Sequence, residues 1–328
     1  MTRVAVVGAG AFGKNHVRVV AENPRAKLTH VVDTNAKRAR QMAEAHGAIA
    51  ASSIEEVLGQ VDAAIVAAPT TLHAEIGCKL LQAGIDVLVE KPIAPTLADA
   101  DRLIAAASKN GRILQVGHLE RFNPAVMELE CIATLPLFFE IHRMSVFTLR
   151  SLDVDVVLDL MIHDLDIVLA LTKGELSEIR AAGISILSPK VDIANVRLAF
   201  SDGCVANLTA SRVSTEKIRK LRVFQPGQYI SLDYANQSAA VCAVGGDVGL
   251  AFDQLSIKTG EPLGLQFDAF LEAVSTRKQP KLSGEIARKT LEVALAVLDK
   301  IELHAAIVAQ TVSVYNDSAN NPATGWKP

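Results

Sequence analysis

The pattern of apolar and polar residues changes character part-way along the chain. From Val4 to Gly117, short apolar runs alternate with stretches of helical periodicity. Such alternation is typical of a parallel sheet covered by helices on both faces. The predicted strands are Val4–Val7, Leu28–Val32, Ala48–Ala50, Ala63–Ala67, Val87–Val89 and Ile113–Val116. The predicted helices are Lys14–Glu22, Ala36–His46, Ile54–Leu58, Leu72–Ala83 and Leu97–Lys109.

Beyond this half, several strands alternate apolar and polar residues, which is typical of an antiparallel sheet with one covered face. These strands are predicted at Leu137–Val146, Glu178–Leu187, Ala194–Phe200, Val205–Arg212 and Arg219–Leu232, with a hairpin turn at Ser201–Gly203. Helices are predicted at Asp155–Leu171, Gly264–Arg277 and Gly284–Leu303. We therefore expect an α/β domain with a doubly wound parallel sheet at residues 1–120. An α+β domain with an open, mostly antiparallel sheet follows at 121–328, of which 304–328 is partly a loose tail. The uncovered face of that sheet predicts a homodimer or a homotetramer.

Composition narrows the functional classes. A length of 328 residues favours about two domains, and 50% hydrophobic residues supply a large core. The net charge of −3 argues against nucleic-acid or anionic-membrane binding, both of which need a positive field. The four cysteines form no Cys-x-x-Cys pair, so free thiols in a reducing compartment are expected. Because the first residues lack a signal-peptide pattern and no apolar run is long enough to span a membrane, we expect a soluble cytoplasmic protein.

A glycine-rich turn follows the first predicted strand. Gly8, Gly10 and Gly13 form a Gly-x-Gly-x-x-Gly pattern after a strand and before a helix. In dinucleotide-binding turns the first glycine makes the turn, the second lets a pyrophosphate approach, and the third lets the helix pack on the strand. The helix N-terminus supplies free N–H groups for the phosphates. We therefore predict a Rossmann domain whose turn, including Ala11 and Phe12, contacts the cofactor.

The end of the second strand indicates which cofactor is bound. Asp33 ends that strand and lies 20 residues after Gly13. About 20 residues is the spacing at which an acidic residue meets the adenosine ribose hydroxyls. Since a carboxylate repels a 2′-phosphate, NAD is favoured over NADP, although Lys37 and Arg38 are close and Arg38 is itself a candidate contact. A turn without a ligand is the alternative for the glycine pattern taken alone.

The end of the fourth predicted strand carries further candidate cofactor contacts. Pro69 ends the strand, and Thr70 either caps the next helix or contacts the cofactor. His73 falls in the first helical turn, where it faces the crevice or solvent. Pro69, Thr70 and His73 are therefore predicted cofactor contacts.

The fifth and sixth strand ends carry charged groups. Glu90 and Lys91 follow the fifth strand, and Pro92 restricts Lys91 to an extended backbone that directs the lysine into the crevice. A surface salt bridge is the alternative. After the sixth strand, Arg121 and Asn123 either reach a substrate or hold the domain junction.

The helix predicted over residues 155–171 carries polar groups among apolar neighbours. Asp159 and His163 are four residues apart and therefore share one helix face. The carboxylate could orient the imidazole for acid–base catalysis. Asp164 and Asp166 are expected to be solvated. A metal site from Asp159, His163 and Asp166 lacks further ligands, so no metal is predicted.

A basic stretch lies near the predicted end of the strand Val205–Arg212. Its charged residues are Arg212, Lys217, Arg219, Lys220 and Arg222, with Glu216 among them. Such a stretch could bind the phosphates of an anionic substrate, with Arg212 as a candidate contact. An ordinary solvated sheet edge is the alternative.

Together these motifs resemble the family of glucose–fructose oxidoreductase, inositol dehydrogenase and MocA. The resemblance runs from residue 2 to about residue 303 and is carried by Gly8–Gly13, Glu90-Lys91-Pro92 and Asp159-Leu-Met-Ile-His163. In that family the lysine and the Asp-x-x-x-His pair meet at the nicotinamide. The resemblance thus implies Glu90 and Lys91 as cofactor contacts, and Lys91, Asp159 and His163 as catalytic and substrate-binding residues. Met161 departs from the family, where glycine is frequent.

Three shorter stretches resemble the branch of this family that oxidises nucleotide-linked amino sugars. They are Val116–Pro124, Asp159–Asp166 and Ala210–Ser214. The branch contains UDP-N-acetylglucosamine 3-dehydrogenases, whose 3-keto product is later aminated for lipid A. It implies that a sugar hydroxyl loses its proton to Lys91 or His163 while its carbon gives a hydride to NAD. Asp159 would hold His163 in the useful tautomer, and burial beside the positive nicotinamide would favour a neutral Lys91.

Two alternatives stay open. The enzyme could act on an inositol or another sugar. The chain could also bind NAD(H) as a sensor without catalysis, since fold alone does not give activity. Lys91 and His163, which could take a proton at the nicotinamide, argue against a sensor.

Overall fold

A computed structural model of the chain describes residues 1–148, 154–244 and 249–319. Contacts between Cα atoms divide the chain into two units. The first comprises Met1–Met127 and Lys258–Glu292, and the second Glu128–Ile257 and Val293–Pro328. The predicted domain boundary between residues 120 and 121 stays a prediction.

The first unit contains a parallel sheet in the order β3-β2-β1-β4-β5-β6. Its strands are β1 Thr2–Val7, β2 Ala26–Val32, β3 Ile49–Ala51, β4 Ala63–Val66, β5 Asp86–Glu90 and β6 Leu114–Gly117. Strands β4 and β5 are buried along their whole length, as expected of parallel strands covered on both faces. Each predicted strand of this half is confirmed to within two residues at either end.

Helices cover both faces of this sheet. They are α1 Gly13–Glu22, α2 Ala36–Ala45, α3 His73–Gln82 and α4 Leu97–Asn110, with 3₁₀ turns at Ile54–Val57, Thr70–Leu72 and Leu119–Phe122. The helix α5 Pro124–Ile132, which the apolar pattern did not predict, follows the last of these turns. A later helix, α7 Pro262–Thr276, adds Phe267 and Phe270 to the core formed with Val4, Val17 and Leu28. This long-range packing places α7 in the first unit.

The second unit contains a sheet in the order β14-β13-β12-β11-β7-β10-β9-β8. Neighbours pair antiparallel except β7 and β10, which are parallel. The strands are β7 Phe138–Val146, β8 Leu176–Ile184, β9 Ile193–Phe200, β10 Val205–Ser214, β11 Ile218–Gln225, β12 Gln228–Asp233, β13 Ser238–Val244 and β14 Leu250–Gln254. The predicted open, mostly antiparallel sheet is confirmed. The hairpin turn at Ser201–Gly203 is confirmed too, with Gly203 at φ +87°.

One face of this second sheet is buried, and the other is more exposed. Along β7, Phe139, Ile141 and Arg143 are buried and alternate with less buried side chains. A π turn, Val157–Met161, leads into helix α6, Ile162–Leu171, and α6 joins the buried face through an ion pair to Arg143. The predicted helix over residues 155–171 is thus present, with an irregular first turn.

The strand predicted over Arg219–Leu232 is wrong. The structure has two strands there, β11 and β12, which turn back at Pro226 and Gly227. Proline donates no hydrogen bond to a ladder, and Gly227 adopts φ +70°, which suits a tight turn. Strands β13 and β14 were not predicted.

The last helix is longer than its apolar pattern indicated. Helix α8 spans Gly284–Ala319, whereas the sequence predicted an end at Leu303. The predicted loose tail is therefore helical as far as Ala319, and residues 320–328 lie outside the described residues. Within the described part of the chain, no helix combines the length and apolar character needed to cross a membrane.

Candidate active site

The glycine turn joins β1 to α1 with geometry that excludes side chains at two of its three glycines. Gly8 has φ +93°, and a Cβ there would lie 2.6 Å from the Ala67 carbonyl oxygen. A Cβ on Gly13 would lie 1.8 Å from the carbonyl oxygen of Gly8. By contrast, no heavy atom of the described residues lies within 4 Å of a Cβ built on Gly10. Gly8 and Gly13 are therefore required by the fold, and Gly10 leaves open space for a ligand.

A crevice of about 630 Å³ opens at the carboxyl ends of β1, β2 and β4, as expected of a doubly wound sheet. The predicted contacts that line it are Gly8, Gly10, Asp33, Arg38 and Pro69. Residues that sequence reasoning missed also line it. They include Thr34, Ser52, Ser53, Glu55, Leu72, Glu75, Ile76 and Lys79. The two serines could have been predicted from the sequence, because they follow β3 and therefore lie at the same edge of the sheet as the other strand ends.

Backbone hydrogen bonds hold the carboxylate of Asp33 at the rim of this crevice. Its Oδ2 accepts the Ala9 N–H at 2.9 Å, and its Oδ1 accepts the Asn35 N–H at 2.8 Å. The Arg38 guanidinium lies 3.4 Å from Oδ2. The acid is thus tied directly to the glycine turn.

The crevice fits a dinucleotide. Open space at Gly10 lets a pyrophosphate approach the backbone, and α1 presents its N-terminus beside the turn. The Asp33 carboxylate is fixed at the rim, and its contact with ribose hydroxyls stays a prediction.

His73 is placed differently from the sequence prediction. The ring is almost fully buried, with Nδ1 3.0 Å from the Pro92 carbonyl oxygen and Nε2 2.9 Å from that of Ala68. Burial lowers the pKa of His73, which disfavours its charged form. The predicted orientation toward the crevice or solvent is wrong, because both ring nitrogens face backbone carbonyls. His73 instead connects the ends of β4 and β5.

Thr70 begins the 3₁₀ turn that precedes α3. It is half-buried, and among the described residues no side chain caps this turn or α3. The structure therefore does not show Thr70 as a helix cap, which was the alternative to a cofactor contact.

Lys91 follows β5 and is half-buried. Glu90 is buried, its Oε1 lies 2.7 Å from Nε2 of His16, and its Oε2 accepts the Lys91 N–H at 3.2 Å. Because Glu90 is buried and contacts His16, the alternative of a surface salt bridge does not apply to its carboxylate. Sequence reasoning gave His16 no role, although it lies three residues after the last glycine of the turn.

Arg121 and Asn123 lie where β6 leads into α5, and both are buried. The Arg121 carbonyl accepts a hydrogen bond from Lys281 Nζ at 3.1 Å. Asn123 Oδ1 accepts the Ala125 N–H at 3.1 Å, which caps the start of α5. A local structural role is therefore visible for Asn123, and its substrate contact stays a prediction.

Asp159 and His163 lie in the π turn and the first turn of α6, and both are half-buried. π turns inside helices frequently occur at functional sites. The expectation that Asp164 and Asp166 are solvated is wrong, since each is only 1% exposed. Asp164 binds Arg143 through two hydrogen bonds, of 2.8 Å from Nε and 2.7 Å from Nη2. Arg143 lies on β7, and a local sequence pattern does not indicate a contact between residues so far apart in the chain.

The basic stretch is partly neutralised by acids of the second unit. Arg212 is buried, with Nε 3.7 Å from Asp192 Oδ1, and it also donates to the Val154 carbonyl. Arg222 binds Glu140 at 3.0 Å across the ladder. The predicted diphosphate contact of Arg212 stays a prediction, and its guanidinium already serves the fold.

Among residues 1–148, 154–244 and 249–319, no group of three or more His, Cys, Asp or Glu side chains could hold a metal ion. All four cysteines fall in these ranges, and they are free thiols.

Comparison with known proteins identifies the family. Residues 2–118 match the model described as "Oxidoreductase family, NAD-binding Rossmann fold", and residues 135–225 match the GFO/IDH/MocA C-terminal domain. UDP-N-acetylglucosamine 3-dehydrogenase of Acidithiobacillus ferrooxidans is 33% identical, over 92% of this chain and 97% of that protein. The chain belongs to the Gfo/Idh/MocA family. The predicted family, fold class and NAD cofactor are thereby confirmed, and the protein is an NAD-dependent oxidoreductase.

A solved structure of that enzyme and one further relative extend the comparison. A solved structure of the Acidithiobacillus enzyme superposes with a TM-score of 0.88 at 32% identity, covering 92% of this chain and 98% of that one. The scyllo-inositol 2-dehydrogenase (NAD(+)) of Bacillus subtilis is 26% identical over 90% of this chain and 92% of its own.

Proposed function

We propose that this Gfo/Idh/MocA member is a sugar dehydrogenase that oxidises C3 of UDP-N-acetylglucosamine to the 3-keto sugar, on a route toward lipid A amino sugars. The observation that carries this proposal is similarity along both halves of the chain. The UDP-N-acetylglucosamine 3-dehydrogenase is 33% identical over 92% of the chain, against 26% over 90% for the scyllo-inositol enzyme. An inositol or other sugar is therefore the second candidate.

The glycine turn and its neighbours bind the cofactor in this proposal. Gly10, Ala11 and Phe12 receive the pyrophosphate, and Asp33 accepts the adenosine ribose hydroxyls. Arg38 lines the same rim, together with Pro69 and Thr70 at the end of β4. Five residues of this set are predicted contacts that are not among the residues lining the crevice: Ala11, Phe12, Thr70, Glu90 and Lys91.

Lys91 is the proposed proton acceptor, with His163 as the alternative. When bound, NAD would supply the acceptor for the hydride of the sugar carbon. Lys91 removes the hydroxyl proton as that hydride leaves, so that the carbonyl can form. Its backbone N–H is held by Glu90, which supports a fixed direction for the side chain.

Asp159 and His163 are proposed to act as a pair. The carboxylate holds the imidazole in one tautomer, and the imidazole contacts the reacting hydroxyl. Arg121, Asn123 and Arg212 are proposed substrate-side residues. For Asn123 and Arg212 the contacts already described support an indirect role, which orders the backbone near the sugar nucleotide.

We also propose a homodimer or homotetramer formed through the open face of the second sheet. Rings of Phe138, Phe224 and Tyr229 contact one another on that face, with centroids 5.8 Å and 4.9 Å apart. Because an aromatic cluster on an uncovered sheet suits subunit contact, light scattering should report more than one chain. A cytoplasmic location goes with this proposal, and the free thiols support it.

The test is an NADH absorbance assay with UDP-N-acetylglucosamine and, separately, myo-inositol. We expect turnover with the UDP sugar at least about a hundredfold above that with the inositol. Faster turnover with inositol would replace the proposed substrate by the second candidate. NADH binding with no turnover on any sugar would favour a sensor.

A further inference from the structure

A buried histidine contacts the residue that precedes Lys91. His16 lies on α1 directly after the glycine turn and is 0% exposed. Its Nε2 lies 2.7 Å from Oε1 of Glu90. On its other side, the ring of Phe12 meets the imidazole edge-to-face, with centroids 5.3 Å apart. His16 therefore links a residue of the cofactor turn to the end of β5.

The Glu90 carboxylate is confined by three elements. Its Oε1 contacts His16, and its Oε2 accepts the N–H of Lys91 at 3.2 Å. On β6, a Cβ built on Gly117 would lie 2.7 Å from Oε1 and 2.8 Å from the carboxyl carbon. The carboxylate therefore lies directly against the Gly117 backbone. It has little room to change position without losing one of these contacts.

The hydrogen bond matches one tautomer of the imidazole. An ionised carboxylate only accepts hydrogen bonds, so its partner is the tautomer that carries a hydrogen on His16 Nε2. Burying a polar pair costs free energy that an apolar side chain at this position would avoid. Val17 and Val20 fill the neighbouring core positions of α1. What the pair adds beyond packing is a fixed direction for the peptide that carries Lys91.

We propose that His16 is a positioning residue for Lys91, acting through the Glu90 carboxylate. The cofactor turn and the Lys91 peptide are thereby held as one unit by the imidazole–carboxylate pair. This inference rests on the proposed role of Lys91 as proton acceptor.

The variants His16→Gln and His16→Asn test this hydrogen bond with two amide side chains of similar polarity but different length. His16→Gln places its amide nitrogen near the position of Nε2 and can still donate to Glu90. His16→Asn places its amide near the position of Nδ1, too far from the carboxylate. Glu90→Gln is a second variant, since its amide can accept from His16 only by turning its NH₂ toward the Lys91 N–H.

The first readout needs no substrate. Reductive methylation of the folded protein, followed by peptide mass spectrometry, gives the labelling rate of Lys91, with the exposed Lys109 as internal control. We expect His16→Asn and Glu90→Gln to change the Lys91 rate at least about threefold, and His16→Gln to leave it within about twofold. Equal Lys91 rates in the wild type and both test variants would overturn the proposal.

The second readout separates positioning from general damage. We expect His16→Asn to lower kcat about 10- to 100-fold with the NADH Kd nearly unchanged, and His16→Gln to restore most of kcat. If His16→Asn and His16→Gln lose kcat equally, and in proportion to their loss in Tm, the role of His16 is structural and the proposal is overturned. If the wild type oxidises no UDP sugar, the substrate proposal fails, while the labelling comparison still decides the role of His16.

Discussion

Replacing Asp33 by asparagine tests the link between the acidic strand end and the glycine turn. In the native protein each carboxylate oxygen accepts one backbone N–H, from Ala9 and from Asn35. An asparagine has one acceptor oxygen and one NH₂ group. Whichever way it turns, the NH₂ faces a backbone N–H and one of the two hydrogen bonds is lost. The variant thus loosens the turn and removes the negative charge offered to the ribose.

The expected loss in NAD affinity comes from the hydrogen bond that the charged Asp33 carboxylate is proposed to accept from the ribose, because its backbone hydrogen bonds exist without NAD. A hydrogen bond to a charged group contributes about 1.5–3 kcal/mol. Losing one such interaction raises the Kd about 10- to 150-fold, because each 1.4 kcal/mol corresponds to about a factor of ten. The same change removes repulsion of a 2′-phosphate, so the preference for NADH over NADPH should narrow.

The assay is a fluorescence titration with NADH and with NADPH. Lys37→Gln is the matched control, since it removes a charge from an exposed residue of α2 that is not among the residues lining the crevice. Exposed charges contribute about 0–1 kcal/mol, so the control should change the NADH Kd by less than about fivefold. An Asp33→Asn protein that binds NADH as tightly as the wild type would refute the reasoning.

Other contacts make further predictions. Gly13→Ala places a Cβ 1.8 Å from a carbonyl oxygen of the turn, so we expect a lower Tm, whereas Gly10→Ala should keep the wild-type Tm and lose NADH binding. Arg143→Met leaves Asp164 buried without its bidentate partner, and urea unfolding should show a loss of about 3–5 kcal/mol. Burial lowers the pKa of His73 below 6.5, so the unfolded chain binds the extra proton first as the pH falls. Stability should therefore drop below about pH 6.5, and His73→Gln should reduce this drop in urea titrations.

The first sheet was predictable because its strands are buried on both faces. Runs such as Val4–Val7 and Ala63–Ala67 are almost wholly apolar, and glycine or proline follows each of them. The carboxyl ends of parallel strands meet at one edge, so Gly8 and Asp33 could be placed at the crevice before the structure was known.

The second sheet was harder to predict because its strands depend on neighbours distant in sequence. β13, Ser238–Val244, is made of small and apolar residues without a clear alternation, and it is defined by pairing with β12 and β14. Helix α5 was missed because Asn123, which caps its first turn, was considered only as a substrate contact or a residue of the domain junction.

The site residues show the same limit. Asp164 looked solvated because its partner Arg143 lies 21 residues away on another element. His16 looked unremarkable, since nothing local indicates that Glu90 lies beside it. In both cases a buried polar side chain acquires its role from a long-range hydrogen bond.

Lys91 is the proposed acceptor of the hydroxyl proton when the sugar is oxidised. Lys91→Met tests this role most directly, because methionine keeps a similar length and removes the amine. We expect UDP-N-acetylglucosamine turnover to fall at least about a thousandfold while the NADH Kd stays within about threefold of wild type. Turnover near the wild-type rate in this variant would contradict the account.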